Sequence, residues 1–312
     1  MDLTNPIFHD DDKAREHLES LRWPVGPICP HCGVVNNATK LEGKSTRPGV
    51  YKCKDCRKPF SVTVGTLFER SKIPLSKWVL ATHLLSSSKK GMSAHQLHRM
   101  LGITYKSAWF MAHRIREAMR PTDDEPMGGG GTVVEADETF VGGKEKNRHR
   151  SKRFKKHAGG TWGKEKVFAL IEREGRVRSV HTASISGPTL RKILVTQMHR
   201  ATKLYTDDAG QYRRMGEEFD HEVVNHSIGE YVRGDAHTNT IESYFAILKR
   251  GIIGTYHHIS PKHLKRYLAE FDFRHNTRAA LKIGDAERAD MALKGITGKR
   301  MTYRRADSWA FA

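Results

Sequence analysis

GTVVEADETFVGG, residues 131 to 143, decides the fold. β-Branched residues precede Asp137 and glycines follow it, the composition of a strand with a turn behind it. Side chains alternate along a strand, so Glu135 shares a face with Asp137 while Glu138 faces away. Working downstream, KVFALIERE and RVRSVHTAS form a second and third strand joined at Gly175. SGPTLRKILVTQM follows as a helix with Pro188 near its first turn. ATKLYTDDAGQY supplies a short strand ending at Asp207, QYRRMGEEF a helix, HEVVNHS a strand, and HTNTIESYFAILKRG (237–251) a further helix.

Three strands followed by alternating helices and strands describe an α/β ribonuclease H-like domain, assigned to residues 132–280. In such a sheet the first strand, with Asp137, adjoins the end of the fourth, with Asp207. Asp208 competes for the second position, but Asp207 comes first after the apolar stretch KLYT and is preferred. A third oxygen ligand is expected from the following helix. There Asn239 and Glu242 are neighbours on one face, and the spacing leaves both open: Glu242 brings charge, Asn239 a neutral carbonyl oxygen. Lys249 lies at nearly the same angle as Glu242 but ~10 Å farther along the axis, placed to hold a phosphate as a point charge. Taken alone, each of these is an ordinary surface residue of a helix. Converging carboxylates repel unless hard cations neutralise them, so Asp137, Asp207 and Glu242 are expected to bind two Mg²⁺ ions, with Mn²⁺ as an alternative. Two such ions suit in-line phosphoryl displacement.

The rest of the chain points to DNA. Its 312 residues carry 54 Lys plus Arg against 35 Asp plus Glu, a net charge of +19, which favours a polyanionic partner. No apolar run is long enough to span a bilayer, and the acidic start MDLTNPIFHDDDKAREHL is not a secretory signal. No membrane association and a cytoplasmic, nucleoid-associated location are expected. All four cysteines fall in two CxxC knuckles, Cys29/Cys32 and Cys53/Cys56. Matched knuckles with short strands and turns between them fit a structural zinc ribbon of four thiolates better than disulfides or iron, within residues 1–65.

Residues 66–120 hold three helices. PLSKWVLATHLLSSSKKG is expected to be amphipathic and closed by Gly91. SAHQLHRMLG, capped by Ser93 and ended by Gly102, is followed by a helix from Thr104, the pattern of a helix-turn-helix. Lys106, Ser107, His113 and Arg114 are its candidate DNA contacts, while Ala108, Met111, Ala112 and Ile115 pack inward. PTDDEPMGGGG (121–131) suits a linker, the basic stretch 142–166 a DNA-tracking loop, and 281–312 a basic tail. PKHLKRYLAEFDFRHNTR is an amphipathic helix packing through Leu264, Tyr267, Leu268 and Phe271. His257 and His258 are structural or contact phosphate.

The paired CxxC knuckles, the helix-turn-helix, ADETFVGGK, YTDDAGQY, VNHSIGEYV, HTNTIESYFAILKRGIIGTYHHIS and YLAEFDFRHN together resemble bacterial DDE-type insertion-sequence transposases, and among them the group called insertion sequence fifteen-ninety-five. The resemblance runs from about residue 20 to 280. It implies Asp137 and Asp207 as metal ligands, Asn239 or Glu242 as the third, and Lys249 as the trailing basic residue. It also implies cleavage and joining of double-stranded DNA, recognition of terminal inverted repeats, and a homo-oligomer holding paired ends beside a target. The alternatives are a non-catalytic DNA-binding protein of transposase descent and a ribonuclease H-like nuclease without strand transfer.

Overall fold

The two ends of the chain build one unit, Met1–Pro121 with Thr277–Ala312, and Thr122–Asn276 builds another. The structure, a computed structural model, describes residues 2–122, 125–143, 147, 149–152, 161, 163–225 and 232–302. Most of the basic stretch 142–166, residues 226–231 of VNHSIGEYV and the last ten residues lie outside the described residues. No helix among the described residues is long and apolar enough to cross a membrane.

In the first unit, α1 (Asp11–Arg22) begins where Asp10 accepts hydrogen bonds from the Asp12 and Lys13 amides at 2.7 and 3.2 Å, satisfying two donors that the helix cannot. A small antiparallel sheet follows, β1 (Ala38–Lys40), β2 (Val50–Cys53) and β3 (Pro59–Ser61), in that order. Trp23, just past α1, meets Tyr51 and Phe60 of this sheet edge-on at 5.4 and 5.7 Å between ring centroids.

Helices α2 (Leu75–Ser87), α3 (Ala94–Leu101) and α4 (Tyr105–Ala118) come next. α2 is not amphipathic as expected. Trp78, Val79, Ala81, Thr82, His83, Leu85 and Ser86 are all buried, because α1, α3, α4 and a helix from the far end of the chain surround it. The turn between α3 and α4 follows the sequence closely. Ser93 accepts from the Gln96 amide at 3.2 Å, Gly102 adopts the left-handed conformation (φ +59°), and Thr104 accepts from the Ser107 amide at 3.2 Å. Ala108, Met111, Ala112 and Ile115 are buried as expected.

In the second unit the sheet contains β4 (Val133–Val141), β5 (Glu165–Glu172), β6 (Val177–Thr182), β7 (Lys203–Asp207) and β8 (Asp220–Val224), in the order β6-β5-β4-β7-β8. The β6-β5-β4 meander is antiparallel; β4-β7 and β7-β8 are parallel. Every residue from Val167 to Ile171 is buried, since both faces of β5 are covered. Val167, Ala169 and Ile171 meet α6 (Asn239–Gly251) and α7 (Leu264–Asn276), whereas Phe168 and Leu170 meet α5 (Gly187–Gln197). This three-layer arrangement and strand order are those of a ribonuclease H-like fold. Leu264, Tyr267, Leu268 and Phe271 pack as the α7 periodicity requires.

Three expectations need correction. QYRRMGEEF forms two 3₁₀ turns, Gly210–Tyr212 and Met215–Glu217, in place of a helix. The second half of the expected linker belongs to the sheet unit: Met127 is fully buried, donates to Gln197 O at 2.7 Å, and accepts from the His199 amide at 2.9 Å. The expected tail contains α8 (Asp285–Lys294), whose Ala289, Ala292 and Leu293 are buried and which packs on α2. Arg288 fixes it, donating to Thr277 O at 2.8 Å and to Ser86 O at 3.3 Å. Three buried apolar positions in a helix this short make a faint sequence signal among so many charges.

Candidate active site and metal centre

Parallel pairing of β4 and β7 runs through Val133↔Lys203, Val134↔Leu204 and Glu135↔Tyr205. Asp137 and Asp207 each stand two residues beyond that last pair, so the register brings them opposite one another where the ladder ends. The same alternation turns Asp137 towards the face covered by α6. The Asp137 carboxylate accepts from the Glu138 amide at 2.7 Å, and Asp207 accepts from the Ala209 amide at 3.2 Å. Asp208 is exposed.

Burial pushes the Asp137 carboxyl up to about 8, and the nearby charges of Glu138, Asp207 and Glu242 push the same way. With these acids so near one another, full ionisation at neutral pH would be favoured by positive charge among them. The donor set, all carboxylate oxygen, suits a hard divalent ion. Among the described residues, however, the four cysteines are the one group of three or more such side chains close enough together to share an ion; Asp137, Asp207 and Glu242 stand farther apart.

Glu242 lies one turn into α6 with its Oε1 3.2 Å from the donating Thr238 hydroxyl. Asn239 opens the helix, and Asn239, Glu242, Lys249 and Arg250 are exposed while Ile241, Tyr244, Phe245 and Leu248 are buried. The polar face that carries Asn239, Glu242 and Lys249 is therefore the exposed one.

Glu138 does turn to the opposite face, yet it is not solvated there. It accepts from Gln211 Nε2 at 2.6 Å and from the Tyr212 hydroxyl. Burial raises its carboxyl, with Asp207 adding to the rise against those hydrogen bonds. Sequence reasoning missed this cluster, because only the turn after β7 reveals that Gln211 and Tyr212 come back under β4. Glu135, unlike the partly buried Glu138, is fully buried, bonded to α6 and to Arg173.

The two knuckles gather their sulfurs within 4.8 Å of one another, with Cys29–Cys56 at 3.7 Å and Cys32–Cys53 at 3.6 Å. A tetrahedral ion with Zn–S bonds of ~2.3 Å places its sulfurs ~3.8 Å apart. The cluster thus fits structural zinc with its present spacing. Gly33 (φ +78°) and Arg57 (φ +61°) occupy the same left-handed position behind each knuckle.

Of the four expected DNA contacts on α4, His113 is buried and Arg114 half-buried. His113 is 1% exposed and meets Trp109 edge-on at 4.2 Å. The Arg114 guanidinium sits 4.6 Å from the Phe110 ring centroid and donates to Met301 O at 3.3 Å; burial lowers its pKa. Lys106 is exposed and Ser107 half-buried at the start of the helix, where Tyr105 stacks on His95 at 4.2 Å.

The sequence of residues 128–276 matches the family described as the ISXO2-like transposase domain, and 9–59 matches the transposase zinc-ribbon domain. The chain is 30% identical over 280 residues to an uncharacterized protein in transposable element ISH50 of Halobacterium salinarum, spanning 86% of this chain and 91% of that one. The chain belongs to the ISXO2-like transposase family. The family domain ends at Asn276, where the sheet unit also ends. A solved structure titled "Crystal structure of the Mos1 Strand Transfer Complex" is 12% identical, covering 70% of this chain and 74% of that one with a TM-score of 0.27, a likeness too distant to bear on function.

Proposed function

We propose that this ISXO2-like transposase binds the terminal inverted repeats of its element and catalyses Mg²⁺-dependent DNA cleavage and strand transfer. The observation that carries the reading is the register of β4 against β7, which sets Asp137 opposite Asp207 with the charge of Glu242 acting on the same carboxyl. Asp137, Asp207 and Glu242 would hold the cations, with Asn239 beside them as a neutral oxygen donor. When bound, two divalent ions supply activation of an attacking oxygen and stabilisation of a leaving one.

The chain's own groups position the DNA. Lys249, exposed about two turns beyond Glu242, holds a phosphate of the strand being cut. Attack by water on a phosphodiester at the element end breaks the bond between phosphorus and the 3′ oxygen and leaves a 3′-hydroxyl. That hydroxyl then attacks a target phosphodiester, exchanging one P–O bond for another, so no protein–DNA bond and no energy source are required. Lys106 and Ser107 at the start of α4 contact the repeat, and two or more protomers hold the paired ends.

The test is a joining assay with labelled element ends, a supercoiled target and Mg²⁺. Joined product is expected from the native protein and is lost in Asp137→Asn and Asp207→Asn while end binding persists. Comparing Asn239→Ala with Glu242→Gln identifies the third ligand. Cleavage without joining under all conditions would replace the transposase reading with a nuclease.

A further inference from the structure

Glu135 is an acid of β4 that the cleavage chemistry does not use, and it is 0% exposed. A carboxylate that deep costs several kcal/mol unless it is paired and hydrogen-bonded. Its partners lie mostly on the helix carrying Glu242. Oε2 accepts from the main-chain amides of Thr240 at 2.9 Å and Ile241 at 3.0 Å, and Oε1 accepts from the Thr240 hydroxyl at 2.8 Å. Arg173 Nε donates to Oε1 at 3.2 Å, His237 Nδ1 stands 3.3 Å away, and Arg173 Nη2 donates to the His237 carbonyl at 3.3 Å.

The first amides of a helix have no acceptor within it, and its positive end favours a carboxylate. α6 has no capping side chain of its own; Thr238, at the N-cap position, makes no cap hydrogen bond. A residue 105 positions earlier in the chain does that work. It does so from the strand face that also carries Asp137, two residues along.

We propose that Glu135 is a positioning residue, fixing the distance between the strand that carries Asp137 and the helix that carries Asn239 and Glu242. The inference rests on the reading of those acids as cation ligands. Glu135 touches no cation; it determines where α6 starts relative to β4, and hence where Glu242 is held before any cation arrives.

Two substitutions separate position from charge. Glu135→Asp keeps the charge and loses the reach to the α6 amides; Glu135→Gln loses the charge and keeps an acceptor oxygen at the same reach. Mn²⁺ binding to the zinc-loaded full chain, read from the free Mn²⁺ signal by electron paramagnetic resonance, is compared with native protein. Positioning by neighbouring groups of a metal ligand is commonly worth 10–100-fold in affinity. Glu135→Asp is expected to weaken Mn²⁺ binding about tenfold and to speed amide hydrogen exchange at Thr240 and Ile241, on the scale of such second-layer effects. Glu135→Gln is expected to stay within about threefold of native, a fraction of that range.

The reverse pattern, equal losses in both variants, or native binding in both overturns the proposal. Should Glu135→Asp fail to melt cooperatively, Thr240→Val takes its place, removing one of the hydrogen bonds without touching charge; unchanged Mn²⁺ binding there also overturns it. Native protein that takes up no Mn²⁺ removes the cation reading itself, and this inference with it, whereas native binding with the wrong variant pattern removes the inference alone.

Discussion

The Tyr244 hydroxyl donates to Asp272 Oδ1 across 2.5 Å, tying α6 to α7 beneath the sheet. Ser179 of β6 donates to the same carboxylate through its amide and its hydroxyl, at 2.9 and 2.8 Å. Burial nevertheless raises Asp272 from 3.8 to about 6, outweighing the hydrogen bonds that favour its charged form.

A pH dependence follows from that raised value. Between 3.8 and about 6 the folded protein holds a proton here that the unfolded chain has released. The stabilisation from this group is therefore full below the unfolded value and is lost as pH rises through about 6. Urea unfolding at about pH 3.5 and 7.5, roughly the two sides of this window, should show Asp272→Asn removing that part of the pH slope, since asparagine can still accept from Ser179.

Gly128 should resist substitution. Its φ of +81° suits glycine, and a Cβ there would lie 2.2 Å from Thr202 Oγ1. Gly128→Ala is expected to cost about 2 kcal/mol or more, combining left-handed strain with that clash. Chemical denaturation measures it, and an unchanged midpoint would contradict the buried role of the 127–129 segment.

One zinc per chain is expected by elemental analysis. Chelation, or Cys53→Ser, should release it and unfold the ribbon, because metal binding is folding energy in so small a sheet. Near-ultraviolet circular dichroism reports the loss, as Trp23 leaves its edge-on contacts with Tyr51 and Phe60.

On α4, Lys106→Ala and His113→Ala should behave differently. Removing an exposed phosphate contact weakens end binding and lowers the slope of log affinity against log salt by about 1. Truncating buried His113 lowers the melting temperature with the salt slope unchanged. A salt slope that falls for His113→Ala would return that residue to the DNA surface.

Much of the site was legible because strand chemistry is local. Alternation placed Asp137 and Glu135 on one face, and KLYT followed by Asp207 marked a strand end. The knuckles and the Ser93, Gly102 and Thr104 signals are also local, and the structure reproduces them. Partners distant in the chain were not legible. Nothing around Glu135 announces Thr240, nothing around Glu138 announces Tyr212, and the inward turn of His113 depends on packing around its helix. The helix expected over QYRRMGEEF is misleading because Tyr212, Met215 and Phe219 do recur at helical spacing and all pack inward, yet Gly216 weakens a helix there and the chain makes two 3₁₀ turns.

The return of α8 to α2 has a consequence for biosynthesis. Leu67 N donates to Ile296 O at 3.2 Å, Gly298 N to Gly65 O at 3.0 Å, and Lys299 Nζ caps the end of α4 through the carbonyls of Glu117 and Ala118 at 3.1 Å. These contacts close the unit begun by Met1–Pro121, yet the ribosome delivers them only after the whole of the sheet unit. The sheet unit can fold while its predecessor waits, reversing the usual N-terminal-first order. A nascent chain that stops short of residue 285 would lack α8 and leave exposed the side of α2 that α8 covers, an apolar strip open to chaperones and proteases.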